Sequence, residues 1–298
     1  MKIRNLAVTL LVGGLALTAC GREGGPGDGG NEPVEQDVAT DVVLEGSPTF
    51  DAMQERGTVN IGVKEDQPGL GLLDPTTGEY SGFDVEIARL IAAELGFDPN
   101  EDIEYQAIPS ASREQAIANG QVDYYVGTYT INDGRKEQID FAGPYYQAGQ
   151  DLLIRQEDAE EITGPDTLMG KVVCSATGST PIQRVRDEGL TEEDNIREFQ
   201  LYSECVEQLR IGEVDAVTTD DAILLGYAAE NSDELTVVGE QFSEEPYGIG
   251  LPLDDEVLRN AINDILDESR ENGKWQEIYD ATLGQSGSTA EQPEVERY

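Results

Sequence analysis

Histidine is absent from this chain of 298 residues, and cysteine occurs only three times. Histidine is the most common general acid or base near neutral pH, so its absence argues against enzymes that depend on it. Zinc sites are built largely from histidine and cysteine, and these cysteines alone do not complete a tetrahedral shell. We therefore predict no metal site, no cofactor and no enzymatic activity.

Basic residues are also scarce, because 19 Lys and Arg stand against 61 Asp and Glu and leave a net charge of −42. A surface of this sign repels phosphate groups, which argues against nucleic acid and anionic lipid as partners. No apolar run reaches the roughly 20 residues that a membrane-spanning helix needs. The length is sufficient for two domains.

The N-terminus carries a targeting signal. Lys2 and Arg4 precede an apolar run at residues 6–17 that is too short for a stable span. The following residues, Leu-Thr-Ala-Cys20, resemble a bacterial lipobox. The resemblance implies a signal peptide at 1–19, diacylation of Cys20, and anchoring on the extracytoplasmic face of the cell membrane. The alternative, an ordinary secretory signal, leaves Cys20 as a free thiol.

Two cysteines then remain, Cys174 and Cys205. Proteins exported to an oxidising compartment usually join such an even pair, so we predict a disulfide between them. The alternative is a pair of buried free thiols.

Composition divides the chain into a folded core and two polar ends. Residues 20–49 are rich in glycine, proline and acids, and we interpret them as the lipidated cysteine and a flexible tether. Residues 285–298 resemble them and predict a disordered tail. Between these ends, strand and helix patterns alternate, which indicates an α/β fold with parallel sheets covered by helices. The predicted strands are 58–63, 122–126, 171–175 and 216–219, and the predicted helices are 83–95, 112–119, 181–187, 204–211 and 254–272.

A weak internal repeat relates the two halves of the core. The segment GQVDYYVGT at 120–128 aligns without a gap with GEVDAVTTD at 212–220. Thr128 and Asp220 therefore occupy equivalent positions at the ends of two predicted strands, where open α/β sheets bind ligands. The repeat predicts two lobes facing each other across a cleft. The alternative is that Gly-x-Val-Asp is a common connector between a helix and a strand.

The segment VGTYTINDGRK at 126–136 offers groups that suit a carboxylate. Thr128 and Thr130 alternate with Tyr129, so in an extended strand both hydroxyls leave on one face. Arg135 follows with a planar donor fork that matches a carboxylate. The alternative is a surface strand whose arginine pairs with neighbouring acids.

Ordered motifs from about residue 57 to residue 284 resemble the solute-binding protein of a polar amino-acid ABC transporter, most closely the glutamate-binding members. The motifs include GTYTINDGRK, FAGPYYQAGQDLL, CSATGSTPIQRV, AVTTDDAILLGYA and FSEEPYGIGL. The resemblance implies a two-lobed periplasmic-binding-protein fold of type II. It also implies crossover strands near 147–151 and 242–247, with lobe 1 at 50–147 and 242–284 and lobe 2 at 148–241.

The resemblance implies how the head of an amino acid is held. Arg135 binds the α-carboxylate with help from Thr130 and from Ser179 and Thr180, which stand at a predicted helix start that favours an anion. Asp220 accepts from the α-ammonium group. Thr128 is a further candidate for the ammonium group, and the alternative role of Asp220 is to cap the helix that follows.

The resemblance also implies how an acidic side chain is recognised. Lys64 and Arg113 occupy positions that are basic in acidic-amino-acid binders, and there they meet the side-chain carboxylate. Lys64 could instead be a solvated loop residue, and Arg113 could form a salt bridge between the lobes. Tyr247 either walls the pocket or only lines the hinge.

We therefore expect a monomeric binding protein that captures a free amino acid and delivers it to a membrane permease. Glutamate is the first candidate for this amino acid. The alternatives are a binder of glutamine or aspartate, a lyase-type enzyme on the same scaffold, and a sensory ligand-binding subunit.

Overall fold

The computed structural model describes residues 33–286 and 289–298. Its strands are β1 (Val59–Val63), β2 (Asp66–Gln67), β3 (Gly71–Leu73), β4 (Tyr80–Ser81), β5 (Ile103–Ala107), β6 (Tyr124–Tyr125), β7 (Asp140–Ala148), β8 (Gln150–Arg155), β9 (Val173–Ala176), β10 (Ile196–Phe199), β11 (Ala216–Asp220), β12 (Leu235–Val237) and β13 (Glu245–Leu251). Its helices are α1 (Pro48–Arg56), α2 (Phe83–Glu94), α3 (Arg113–Ala118), α4 (Asp133–Lys136), α5 (Thr180–Asp187), α6 (Tyr202–Arg210), α7 (Asp221–Glu230), α8 (Glu256–Asn272) and α9 (Lys274–Ala281). None of the helices described is both long and apolar enough to cross a membrane.

Two five-stranded sheets form the two lobes. The first has the order β5-β1-β6-β13-β7, and the second has the order β10-β9-β11-β8-β12. In the first sheet β1 pairs in parallel with β5 and β6, and in the second sheet β9 pairs in parallel with β10 and β11. The remaining strands of each sheet join antiparallel. The chain crosses between the sheets at Gly149 and again between β12 and β13. This confirms the predicted two-lobed α/β architecture of type II.

Both sheets are buried because apolar helices cover them, as parallel strands require. Helix α2 places Ile87 and Ile91 in the core without exposure to solvent. Its first residue, Phe83, contacts the rings of Tyr145, Trp275 and Tyr279, so α2, β7 and α9 share one aromatic cluster. The cluster therefore packs two helices against the sheet of lobe 1.

The internal repeat corresponds to matching structures. Gly120 follows α3 with φ of +67°, and Gly212 follows α6 with φ of +81°. Glycine tolerates this left-handed conformation and so ends each helix before the next strand begins. The strands that follow, β6 and β11, lie in the two different sheets.

The predicted flexible tether is wrong for residues 33–47. Val34 is buried, and its N–H donates to Glu86 Oε2 at 3.1 Å. Ser47 is fully buried, caps helix α1, and donates to Asp255 Oδ2 at 2.9 Å. A polar composition does not reveal such contacts with distant residues. Cys20 and the signal peptide lie outside the described residues.

The predicted disorder at 285–298 is also wrong for residues 289–298. Gln292 Nε2 donates to the carbonyl of Leu266 at 2.8 Å, and the N–H of Glu296 donates to the carbonyl of Gly143 at 2.9 Å. This segment therefore covers part of β7, which is an edge strand of its sheet.

Lobe 2 contains the predicted disulfide. Cys174 on β9 is bonded to Cys205 on α6. Both residues are fully buried, so the bond joins the helix to the sheet from inside the lobe.

The lobes also touch at a contact formed by β2 of lobe 1 and helices α6 and α7 of lobe 2. The carboxylate of Asp66 accepts from the N–H of Ser203 at 3.0 Å, and Tyr227 donates its hydroxyl to the carbonyl oxygen of Asp66. A Cβ on Gly226 would lie 2.3 Å from the carbonyl oxygen of Pro68. Only glycine therefore allows this approach without a shift of the backbone.

Candidate ligand-binding site

The predicted site residues come from both lobes and meet where the lobes face each other. The hydroxyl of Tyr247 in lobe 1 donates to Asp220 Oδ2 in lobe 2 at 2.7 Å. Arg135 Nη2 donates to the carbonyl of Gly178 at 3.4 Å across the same boundary. Sequence positions more than 40 residues apart are thus brought into one cluster.

The extended strand predicted for Thr128 and Thr130 is wrong. Strand β6 ends at Tyr125, and Thr128 has a left-handed backbone with φ of +46°. Its N–H donates to Asp84 Oδ2 at 2.9 Å, and its hydroxyl donates to Gln67 Oε1 at 3.2 Å. The two threonines are both buried near the cleft, but strand alternation does not place them there.

Arg135 is anchored on the short helix α4, which Asn132 caps. Its Nη1 donates to the carbonyl of Thr130 at 2.6 Å, and its Nε lies 3.2 Å from Glu114 Oε1. Burial and the nearby charge of Arg113 lower the pKa of Arg135 to about 10. The arginine still carries its charge at neutral pH, and it is only partly neutralised by Glu114.

Arg113 and Arg135 share the ring of Tyr129. The Cζ atom of Arg113 lies 4.0 Å from the ring centroid and that of Arg135 lies 5.0 Å from it, both within cation–π range. Arg113 is almost fully buried, and its Nε has no hydrogen-bond partner among the described residues. Its Nη1 makes only long contacts of 3.4 Å, with the carbonyls of Gly127 and Thr128.

Lys64 follows strand β1 and is buried rather than solvated. Its Nζ donates to Ser110 Oγ at 2.7 Å. Burial is the main cause that lowers the pKa of Lys64 to about 7, and repulsion from the charge of Arg113 is the second. Within 33–286 and 289–298, neither Lys64 nor Arg113 forms a salt bridge with a carboxylate, so the alternative role of Arg113 as an interlobe salt bridge is not found.

Lobe 2 presents hydroxyls at the start of helix α5. Ser179 is its N-cap and accepts from the N–H of Ile182 at 3.3 Å. Thr180 donates toward Glu245 Oε2 at 2.9 Å and lies 3.3 Å from the hydroxyl of Thr130. The helix start therefore faces the arginine side of lobe 1.

Asp220 ends strand β11 and is buried, with Oδ1 unpartnered among the described residues. It occupies the N-cap position of α7 but makes no capping hydrogen bond with its side chain. Burial and then the charge of Glu245 raise the pKa of Asp220 to about 8. A cation placed beside Oδ1 would reverse this effect and favour the ionised carboxylate.

Several residues of this region escape sequence reasoning. Glu114 pairs with Arg135, Glu245 faces Thr180 and Asp220, and Tyr129 separates the two arginines. Each lies within two positions of a predicted residue in the chain, and that proximity is the only signal that could have pointed to it. In the part of the chain that the structure describes, no group of three or more acidic or cysteine side chains could hold a metal ion.

Comparison with known proteins agrees with this geometry. The model of the bacterial extracellular solute-binding proteins, family 3, matches residues 59–285. The chain belongs to this family. It is 40% identical over 295 residues to the glutamate-binding protein GluB of Corynebacterium glutamicum, covering 96% of this chain and 92% of that protein.

Two further relatives differ in the amino acid that their names give. The ABC transporter glutamine-binding protein GlnH of Bacillus subtilis is 33% identical over 279 residues, covering 93% of this chain and 96% of that protein. A solved structure of an ancestral arginine-binding protein bound to arginine is 33% identical, with a TM-score of 0.69 over 76% of this chain and 97% of that one. The family is therefore one of extracytoplasmic amino-acid-binding proteins, while the side chain recognised varies among its members.

Proposed function

We propose that this protein captures an acidic amino acid, glutamate first, outside the cytoplasm and delivers it to an ABC transporter permease. The observation that carries the proposal is the pair of buried basic side chains, Lys64 and Arg113, neither of which forms a salt bridge with a carboxylate of the described residues. The nearest carboxylates, such as Asp66 beside Lys64, act on them only from beyond salt-bridge distance. Buried charges are expensive unless they are paired. A side-chain carboxylate of the ligand would supply the missing partner.

The remaining groups suit the head of an amino acid. Arg135, Thr130 and the start of helix α5 with Ser179 and Thr180 would hold the α-carboxylate, because a guanidinium and a helix N-terminus both favour an anion. The unpartnered Oδ1 of Asp220 would accept from the α-ammonium. Tyr247 orients Asp220 from the opposite lobe through its hydroxyl.

The backbone of Thr128 is held by Asp84, and its hydroxyl contacts Gln67. We therefore assign Thr128 to the support of the cleft wall, with a contact to the ammonium group as its further role. Because groups of both lobes contact the same small molecule, binding would stabilise the closed arrangement of the lobes.

A calorimetric titration of the purified protein with glutamate, aspartate and glutamine tests the proposal. We expect micromolar or tighter binding of glutamate, which is about −8 kcal/mol, and weaker binding of glutamine, which lacks the second negative charge. Equal or tighter binding of glutamine would contradict the assignment of Lys64 and Arg113. Turnover of any of the three amino acids would favour the alternative of an enzyme on this scaffold.

Attachment to the membrane through Cys20 is part of the same proposal. Diacylation of this thiol would keep the protein beside the permease. Labelling of expressing cells with a radioactive fatty acid should mark the protein, and the Cys20→Ser variant should lose the label and leave the membrane fraction. If the parent protein takes up no label and is released into the medium, an ordinary secretory signal would be supported instead.

A further inference from the structure

We propose that Tyr298 positions Arg135, by holding both ends of the short turn that carries this arginine. The inference rests on the proposed function, in which Arg135 binds the α-carboxylate of the ligand. Tyr298 lies 163 positions after Arg135 in the chain (298 − 135 = 163). Nothing in its local sequence connects it with the cleft.

The turn in question is short and leads directly into the sheet. Helix α4 contains only Asp133–Lys136, and strand β7 begins at Asp140. The N–H groups of Gln138 and Ile139 both donate to the carbonyl of Arg135, at 2.9 and 3.0 Å. A helix of one turn is not stable by itself, so its position depends on the contacts around it.

Tyr298 contacts both ends of this turn. Its ring centroid lies 4.3 Å from Nζ of Lys136, the residue that follows Arg135. Its hydroxyl accepts from the N–H of Phe141, the second residue of β7, at 2.8 Å. One side chain thus joins the last residue of α4 to the start of β7.

Arg259 of helix α8 adds a third point of attachment. Its Nη2 donates to the backbone oxygen of Tyr298 at 2.6 Å, and its Cζ lies 4.4 Å from the ring centroid. Its Nη1 lies 3.1 Å from Oδ1 of Asp140, and both side chains of this pair are largely buried. Tyr298 is therefore fixed to the rigid core of lobe 1 as well as to the turn.

The consequence for the site is preorganisation. On the cleft side, the Arg135 guanidinium is already directed by Thr130, Glu114 and Tyr129. If α4 were free to shift, part of the binding energy would be spent on restoring this geometry. Tyr298 restrains α4 through its contacts with Lys136 and Phe141, so Arg135 binds the ligand without rearrangement.

A double-mutant cycle in the full chain tests the inference. Dissociation constants for the tightest-binding of glutamate, aspartate and glutamine are measured for the parent, Tyr298→Ala, Arg135→Lys and the double variant. We expect Tyr298→Ala to weaken binding about three- to tenfold in the parent and less than about twofold in the Arg135→Lys background, because contacting or linked sites are non-additive. A loss of equal size in both backgrounds, or no loss in the parent, would overturn the inference.

Two further variants separate positioning from general stability. Arg297→Ala removes the ion pairs of the neighbouring residue with Asp264 and Asp267 but leaves Tyr298 intact, and it should bind like the parent. Tyr298→Phe keeps the ring over Lys136 and loses the acceptor for Phe141, so it should lie between the parent and the alanine variant. If the alanine variant does not fold, the same cycle with Tyr298→Phe decides the question, with a smaller expected loss. Failure of the parent to bind any of the three amino acids would contradict the proposed function itself, whereas an additive cycle contradicts only the role of Tyr298.

Discussion

The two walls of the cleft carry opposite charges. Lobe 1 supplies the cations, namely Lys64, Arg113 and Arg135, whereas lobe 2 supplies the carboxylate of Asp220 and the hydroxyls at the start of α5. A molecule with two carboxylates and one ammonium group would therefore need both walls. In the binding mode that we propose, recognition of the ligand and closure of the lobes would be one event, since neither wall alone complements an acidic amino acid.

The walls also differ in how well their charges are compensated. Arg135 has Glu114 beside it, and Asp220 accepts from Tyr247. Lys64 and Arg113 have no carboxylate partner among the described residues. We therefore propose that Lys64 and Arg113, which form no salt bridge, are the part of the cleft that distinguishes an acidic ligand from a neutral one.

The largest expected effect comes from removing the central cation of lobe 1. Arg135→Ala should weaken glutamate binding about thirty- to a few-thousandfold, because the ligand carboxylate would be buried without its partner at a cost of roughly 2–5 kcal/mol. Calorimetry measures the change. Arg210→Ala, at an exposed pair of lobe 2, is the matched control and should bind like the parent. Nearly unchanged binding by Arg135→Ala would show that the α-carboxylate is held elsewhere.

Removing the charge of Lys64 should change the preference for glutamate over glutamine rather than abolish binding. Lys64→Met keeps an apolar side chain of similar length but no charge. We expect glutamate to bind about ten- to a hundredfold more weakly, as for loss of a charged hydrogen bond of about 1.5–3 kcal/mol, while glutamine changes little. Lys171→Met removes a partly exposed lysine of lobe 2 and serves as the control. Parallel losses for glutamate and glutamine would contradict the role of Lys64.

The opposite walls also predict a two-sided dependence of affinity on pH. Burial lowers the pKa of Lys64 to about 7 and raises the pKa of Asp220 to about 8, while the proposed ligand requires the charged form of both. Below pH 7 affinity should fall as pH falls, because Asp220 must release a proton. Above pH 8 it should fall as pH rises, because Lys64 must take one up. Between pH 7 and pH 8 affinity should change little, because the gain from ionising Asp220 offsets the loss from deprotonating Lys64.

Titration of glutamate from about pH 6 to pH 9 at constant ionic strength checks this profile. Each limb should approach a tenfold loss per pH unit, since one proton is exchanged on each. Asp220→Asn should remove the acidic limb, and Lys64→Met should remove the alkaline limb. A profile that is flat in the parent protein would mean that the two groups keep ordinary pKa values.

The smallest effect should come from the contact of β2 with α6 and α7, which joins the lobes without the ligand. Gly226→Ala would place a Cβ 2.3 Å from the carbonyl of Pro68 and so oppose closure. We expect an affinity loss of about fivefold, shared equally by all amino acids that bind, from the low end of overpacking costs. Gly164→Ala has no neighbouring atom within 4 Å and is the control. A change in preference among amino acids would contradict a role limited to closure.

Regular elements could be predicted closely from local pattern. The helix predicted at 83–95 is α2, and the helix predicted at 254–272 is α8, because their apolar residues recur with helical spacing. Helix α8 buries one face, whereas α2 is buried on all sides. The strand predicted at 216–219 is β11 with one residue added. Such patterns report burial, and burial is what stabilises these elements.

Irregular and terminal segments could not be predicted in the same way. The chain at Thr128 leaves the extended conformation because its N–H is held by Asp84, which lies 44 positions away. Residues 33–47 and 289–298 have the composition of disordered segments, yet each packs on lobe 1 through contacts such as Val34 with Glu86. Composition describes the average behaviour of a segment, whereas these structures depend on single distant partners.

Local patterns in the amino-acid sequence are enough to predict the main strands and helices, the internal repeat, the even pair of cysteines and a set of candidate residues for binding an amino acid. Which of these residues meet, and which form no salt bridge, depends on the tertiary packing. Packing joins Tyr247 to Asp220 and leaves Lys64 and Arg113 buried without a salt bridge among the described residues. It also brings Tyr298 into contact with Lys136, the residue that follows Arg135. The reason is that local patterns depend on neighbours within a few residues, while the pairing of buried charges depends on the packing of segments that are far apart in the chain.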